Sequence, residues 1–333
     1  AIIESLRYIF ILMFTVVFYT LFHSLQSIIF AFPVAELMLF FTLCSVCRKY
    51  FQFNFTEFKE TTIKLVKFGA PMLFSGMIGQ LNSKIDLLLI GYFLMDRDVG
   101  IYTAAVMFAR GLMIFPSAVQ RVTNPVITEF YYKKSFQKIE NLVSTVMKYS
   151  FIILSVVAIL LSFFFKDIIA IIYPGKIEFI NAVLPCQILL FSMIFYGTTG
   201  SVGTAVSSSI GRPDIALKLS GITLTINFAF NCLLIPKYSI IGAAIATGIS
   251  LILSFCMVLF LQKKFLEIRL HTQSFVKLIL LMLFIYLLMS FGVSFIPRFI
   301  LLFIGLAILA MGLLCFKTIN KEDVSLLRSI IHK

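Results

Sequence analysis

Tryptophan is absent from this chain, histidine occurs three times, and charged residues make up only 13% of its 333 positions. Each shortage removes a class of protein. A soluble domain carries about 25% charged residues to cover its surface, so a water-soluble globule is excluded. The three histidines (His23, His271, His332) are scattered and offer no metal cluster, and no cofactor is expected. The six cysteines (Cys44, Cys47, Cys186, Cys232, Cys256, Cys315) all lie in or at the ends of apolar stretches, as small hydrophobes do. Cys44-Ser-Val-Cys47 has a CxxC spacing but no second pair near it. A GxxxxGK(S/T) phosphate loop is missing, since Gly175-Lys176 is followed by Ile177, so no ATP site of that kind is present. Without tryptophan, any aromatic belt at a membrane interface falls to the 12 tyrosines.

What the chain has instead is hydrophobic length. Apolar residues make up 60% of it, 38 of them Phe, and mean hydropathy is +1.04. Segments of spanning length, about 20 apolar residues, run at 8–22, 28–46, 67–93, 100–125, 144–165, 180–206, 215–235, 240–261, 274–291 and 299–316. The expected fold is all-α, a polytopic membrane protein of about ten transmembrane helices. The net charge of +13 would suit nucleic acid, but no soluble basic domain carries it. It sorts by side instead. With the amino terminus in the cytoplasm, 20 of the 28 Lys and Arg fall in inner loops and tails, five in outer loops (Arg97, Lys166, Lys176, Lys237, Arg298) and three inside spans. That asymmetry is the positive-inside pattern. It predicts an inner (plasma) membrane location with both termini of the chain cytoplasmic.

The three bases inside spans are Lys84, Arg110 and Arg121, and they concentrate interest on residues 65–129. Ionisable groups at membrane depth are costly and point to a wet cavity or a partner. At about 100° per residue, Arg110 and Arg121 lie roughly 20° apart, with Ser117 and Asn124 close by. On the preceding segment Gln80 and Lys84 share a face, while Ser75, Asn82 and Asp86 share nearly the opposite one. Lys84, Arg110, Arg121, Gln80, Ser117 and Asn124 are therefore the expected lining of a cationic cleft. Asp86 and Glu36 are its candidate coupling or ion-pairing acids. Glu36 either sits inside its span, holding a proton or pairing with a cation on a facing helix, or lies near the outer interface. Met95-Asp96-Arg97-Asp98-Val99 is expected as the polar turn between the two segments.

Three stretches resemble a known family: Phe68-Gly69-Ala70-Pro71 leading to Ile85-Asp86-Leu87-Leu88-Leu89-Ile90; Val99-Gly100-Ile101-Tyr102-Thr103-Ala104-Ala105; and Leu233-Leu234-Ile235-Pro236-Lys237-Tyr238-Ser239 through Gly242-Ala243-Ala244-Ile245-Ala246-Thr247. In this order and spacing they resemble the Wzx-like polysaccharide flippases of the multidrug/oligosaccharidyl-lipid/polysaccharide (MOP) superfamily, in which Ser239 is usually Gly. The resemblance implies two six-helix bundles about a central cavity, the architecture shared with multidrug exporters of the MATE type. It divides the chain into 1–47 as the last hairpin of an incomplete first bundle, 48–66 as a cytoplasmic inter-bundle linker, 67–262 as the second bundle, 274–316 as an additional hairpin and 317–333 as a cytoplasmic tail. The opening Ala1-Ile2-Ile3-Glu4 reads as the point where an amino-terminal part is missing.

The same resemblance implies the function: flipping a polyprenyl-diphosphate-linked oligosaccharide from the inner to the outer leaflet during cell-surface polysaccharide biosynthesis, O-antigen, capsule or exopolysaccharide. The motion would be alternating access, driven by a gradient or the membrane potential. The protein would not be an enzyme. Its partners would be the lipid-linked glycan, membrane lipid and a polysaccharide polymerase or other assembly proteins, with no nucleic acid. Arg suits the diphosphate through its planar donor fork and Lys as a compact charge. Two alternatives stand. A MATE-type multidrug/ion antiporter would favour acids over these bases, and a membrane glycosyltransferase or polymerase would need a larger outer loop than the one holding Asp96 and Asp98.

Overall fold

The computed structural model describes residues 2–23, 25–48, 58–200, 202 and 213–266, with single positions between 277 and 312 that are all helical. Most of the 48–66 linker, much of the 274–316 hairpin and the 317–333 tail lie outside the described residues. Every element described is a helix, and the chain divides into two compact units, Ala1–Leu65 and Val66–Lys333.

The first unit is a hairpin of α1 (Ile2–Phe22) and α2 (Leu25–Cys47), turned at His23 with φ 47°. Ala31, Ala35 and Leu39, four residues apart on one face of α2, are its buried positions. Small residues at that spacing let two helices approach closely when lipid supplies no hydrophobic drive. Thr20, Thr42 and Ser45 return their hydroxyls to carbonyls one turn back, as polar side chains in an apolar solvent must. Arg7 Nε donates to Glu36 Oε1 at 2.5 Å, so Glu36 pairs with a cation on the facing helix.

Helix α3 (Phe58–Asn82) begins at Phe58, within the expected linker, and runs on into the second unit. There follow α4 (Ile85–Phe93), α5 (Asp96–Gly111), α6 (Ile114–Tyr132), α7 (Phe136–Ile172), a 3-10 turn (Ile177–Ala182), α8 (Val183–Gly200) and α9 (Pro213–Leu266). Six stretches among the described residues are long and apolar enough to cross a membrane, the longest being Asp214–Lys264 at 51 residues. At 1.5 Å per residue that is about 77 Å, far beyond a hydrocarbon core of about 30 Å. It folds back at Ser239, whose φ of 54° and ψ of −140° split α9 into two arms, 213–238 and 240–266. Gly242 stands inside that bend, where an added Cβ would collide with the Leu234 carbonyl. The chain is an all-α, multi-pass membrane protein.

Two expectations change. Each of the two segments carrying the intramembrane charges is broken in the middle, at Ser83–Lys84 between α3 and α4 and at Leu112–Met113 between α5 and α6. Pro116 accounts for the second break: it has no N–H to offer the Leu112 carbonyl four residues back, and its ring crowds that carbonyl. At the first break Lys84 N–H reaches back only to the Leu81 carbonyl, three residues away, and Ser83 turns its hydroxyl onto the Gln80 carbonyl. The supposed polar turn 95–99 is largely the first turn of α5. Asp96 and Asp98 suit a helix start, with the Asp98 carboxylate accepting the Met95 N–H at 3.4 Å.

The core of the second unit is aromatic and small by turns. Phe151, Phe195 and Phe255 pack edge to face, as do Phe108 and Phe165. Between them Ala104, Ala105, Ala109, Ala243 and Ala244 bring backbones together. Gly197 sits against Leu154, Met113 and Pro116, and a methyl there would meet all three at 3.0 Å or less.

Candidate functional site

The two breaks lie level with each other and are tied together. The Arg110 guanidinium, from the last turn of α5, donates to the Ser83 carbonyl that the first break leaves without an intrahelical partner. A cation at a helix C-terminus also offsets its dipole. Just beyond the break Asp86 lies in the first turn of α4, where the dipole favours an anion, and it is almost fully buried. Its Oδ1 accepts the Leu87 N–H at 2.9 Å, its Oδ2 accepts the Tyr102 hydroxyl at 3.1 Å, and Arg110 supplies the opposing charge. An isolated carboxylate at this depth would cost several kcal/mol. Here four separate features hold it.

From Tyr102 the polar contacts continue. Thr247 lies in hydrogen-bond reach of Tyr102 and places its own Oγ1 3.4 Å from Asn227 Oδ1. Asn227 Nδ2 donates to Asn82 Oδ1 at 3.0 Å, and Asn231 Nδ2 donates to Asn227 Oδ1 at 2.7 Å. The cluster therefore joins α3, α4, α5 and both arms of α9 inside an otherwise apolar bundle. It borders a cavity of about 260 Å³ lined by Asn82, Ser83, Asp86, Arg110, Tyr196 and Thr247 among others. A second cavity of about 140 Å³ shares Gly79, Asn82 and Tyr196 with it and adds Ser75, Thr199, Ser220, Thr223 and Ser254, with the Ser75 and Ser220 hydroxyls 3.1 Å apart.

Of the expected cleft-lining bases and polar residues and their candidate acids, Arg110 and Asp86 line the larger cavity, joined by Asn82 from the face of Asp86. Among the described residues lining it, one base faces one acid. Gln80, Lys84, Ser117 and Arg121 lie on exposed faces of their helices, and Ser117 returns its hydroxyl to the Met113 carbonyl at 2.8 Å. Asn124 is half-buried, with its Oδ1 making no hydrogen bond among the described residues. Glu36 belongs to the first unit and is held by Arg7. The face of α3 and α4 that turns inward is that of Ser75, Asn82 and Asp86, not that of Gln80 and Lys84. Tyr196, Asn227 and Asn231 are not among the residues expected from the sequence; the pair of Asn residues four apart in an apolar arm is the signal that points to them. Tyr102 and Thr247 stood in plain view inside two of the quoted motifs. A third quoted stretch supplies Asp86, so the three stretches that carry the resemblance each send one polar side chain into a single cluster.

That convergence agrees with what the chain is similar to. A family model described as polysaccharide biosynthesis protein matches residues 1–131, and the MatE model matches residues 71–233. The two matches overlap and together span residues 1–233, so over that stretch the chain is similar both to polysaccharide biosynthesis proteins and to MatE proteins. Among curated proteins, an uncharacterised membrane protein of Methanocaldococcus jannaschii is 34% identical over 173 residues, covering 52% of this chain and 34% of that protein. A probable low-salt glycan biosynthesis flippase, Agl15 of Haloferax volcanii, is 25% identical over 199 residues, covering 59% of this chain and 42% of its own length. The chain thus spans less than half the length of these curated relatives. Among solved structures, a lipid II flippase, MurJ, in an inward closed conformation superposes with a TM-score of 0.66 over 97% of this chain and 67% of its own, at 18% identity. At that identity the likeness speaks for the fold alone.

Proposed function

We propose that the protein is a flippase that carries a polyprenyl-diphosphate-linked oligosaccharide from the inner to the outer leaflet in cell-surface polysaccharide assembly. The observation that carries this reading is the pair of level helix breaks with a cation at each. Broken helices expose backbone groups along a substrate path. Lys84 stands at one break on an exposed face, and Arg110 spans from the other to the peptide joining Ser83 to Lys84. Arg110 and Lys84, one at each break, are proposed to meet the diphosphate, with Arg121 as a further contact. Gln80, Ser117 and Asn124 are proposed to meet sugar hydroxyls. The match of residues 1–131 to a polysaccharide biosynthesis family, and the relative named as a glycan flippase, favour a glycan-bearing cargo over a drug.

Asp86 is proposed as the coupling acid: it is buried and held by a hydroxyl, a backbone N–H and an arginine whose engagement changes if either break flexes. Glu36, paired with Arg7, serves the hairpin of the first unit instead. The work is transport rather than bond-making chemistry. Both termini of the chain are proposed to be cytoplasmic in the inner (plasma) membrane, with polysaccharide polymerase as an assembly partner.

The test is export of lipid-linked glycan by the full-length protein in a flippase-null strain, with membrane level controlled. Arg110→Ala should abolish export while insertion is retained. Arg110→Lys should keep the charge, lose the fork and export partially. Full export by a well-expressed Arg110→Ala protein removes the role.

A further inference from the structure

We infer that the second unit carries a separate binding site for a neutral sugar ring, at the end of the bundle where the start of α5, the 3-10 turn and the bend of α9 come together. The inference rests on the flippase reading for its placement on the outer side, where Arg97, Lys176 and Lys237 are the few bases. A pocket of about 430 Å³ lies there, larger than either cavity around Asp86. It falls within the range of small-ligand sites, roughly 300–1,000 Å³.

Its lining identifies the ligand class. The polar groups are Asp98, Asn181, Gln187, Tyr238 and Ser239, set among aliphatic side chains of the same elements. No Lys or Arg is among the described residues lining it, and Asp98 is an acid, so a phosphate is the wrong charge. Five converging polar side chains are equally wrong for a lipid tail. They suit a ring of hydroxyls. A carboxylate accepts adjacent hydroxyls, and the long 3.4 Å contact from Met95 N–H occupies only part of Asp98's capacity. Amides both give and accept, and Asn181 is exposed to do so. Gln187 is steadied by donating to the Ser162 carbonyl at 3.4 Å. Tyr238, 56% exposed, presents an apolar body with a polar tip, fit to lie against the C–H face of a sugar.

The backbone adds an independent observation. Ser239 lines this pocket at φ 54°, ψ −140°, a conformation that glycine enters freely and serine does not. Strained residues of this kind cluster at ligand sites. A hydroxyl is held at the pocket wall where glycine would relieve the backbone.

The experiment uses the full-length protein in nanodiscs, with methyl β-D-glucopyranoside and methyl N-acetyl-β-D-glucosaminide as probes and saturation-transfer NMR as the readout. Saturable millimolar binding is expected for at least one probe. Asn181→Ala and Tyr238→Ala should each weaken it at least tenfold with an unchanged thermal midpoint. Ser239→Gly should weaken it while raising the midpoint. Absence of saturable binding by both probes, unchanged affinity in both alanine variants, or displacement by inorganic pyrophosphate would overturn the site. Glycan export measured in parallel keeps the two readings apart. Export without glycoside binding removes this site and leaves the flippase, whereas glycoside binding without export does the reverse.

Discussion

Ser239→Gly should stabilise the protein, and the structure sets the size of the gain. Ser239 sits alone at φ 54° and ψ −140° between two helical arms. Holding a residue with a Cβ in such a sparsely populated region costs on the order of 1–3 kcal/mol. Glycine removes that cost but loses more chain entropy on folding, about 0.5–1 kcal/mol. The difference is a net gain of about 1 kcal/mol, and for a chain of this size that raises the thermal midpoint by about 2 °C. The measurement is differential scanning fluorimetry of the full-length protein in one detergent, comparing wild type, Ser239→Gly and Ser239→Ala. Alanine keeps the Cβ and loses the hydroxyl, so it should not reproduce the gain. A Ser239→Gly midpoint at or below wild type would refute the strain argument. Equal gains from alanine and glycine would show that the hydroxyl, not the backbone, was the burden.

Gly242→Ala should act in the opposite direction at the same bend, since its methyl meets the Leu234 carbonyl; the expected result is a midpoint lowered by several degrees or loss of folded protein in the detergent extract. Tyr102→Phe removes the donor to a fully buried Asp86 contact and should destabilise by roughly 1.5–3 kcal/mol; an unchanged midpoint would mean that the bond contributes nothing. For topology, single cysteines at positions 97 and 135 should report opposite sides: an impermeant thiol reagent labels position 97 but not 135 in intact cells, and the reverse pattern would invert the proposed orientation.

The spanning segments were legible because lipid writes its demand on hydropathy directly. Among the described residues through 266 the spanning helices fall on the apolar runs, except at 67–93, where two shorter helices, α3 and α4, stand in place of one span. The helix breaks were legible only in part. Pro116 marks one of them by the carbonyl it cannot serve, but Ser83–Lys84 carries no proline. That break persists because Arg110, 27 residues further on, takes over the stranded carbonyl. Such a contact joins two helices and leaves no trace in local periodicity. The periodicity did separate two polar faces on α3 and α4. It had no means of choosing which one faces the bundle, because an internal cluster and an open path both call for polar side chains.

The internal cluster gives the three quoted stretches a common physical meaning. As strings they are small apolar residues near helix ends, any one of which could arise from packing alone. In the structure the small residues, Ala104, Ala105, Ala243 and Ala244, are buried in the core, where α5 and α9 each pack against α4 and α8. Close packing in turn brings Tyr102 and Thr247 within reach of each other and of Asp86. A larger residue at any of these alanines would push the helices apart and leave Asp86 with fewer of the partners that make its burial tolerable. The apolar and polar parts of each stretch are therefore one device: the first sets the distance at which the second can hold a carboxyl group inside the membrane. Arg110 links that group to the breaks: it rises from the last turn of α5, donates to the Ser83 carbonyl and sets a positive charge opposite Asp86.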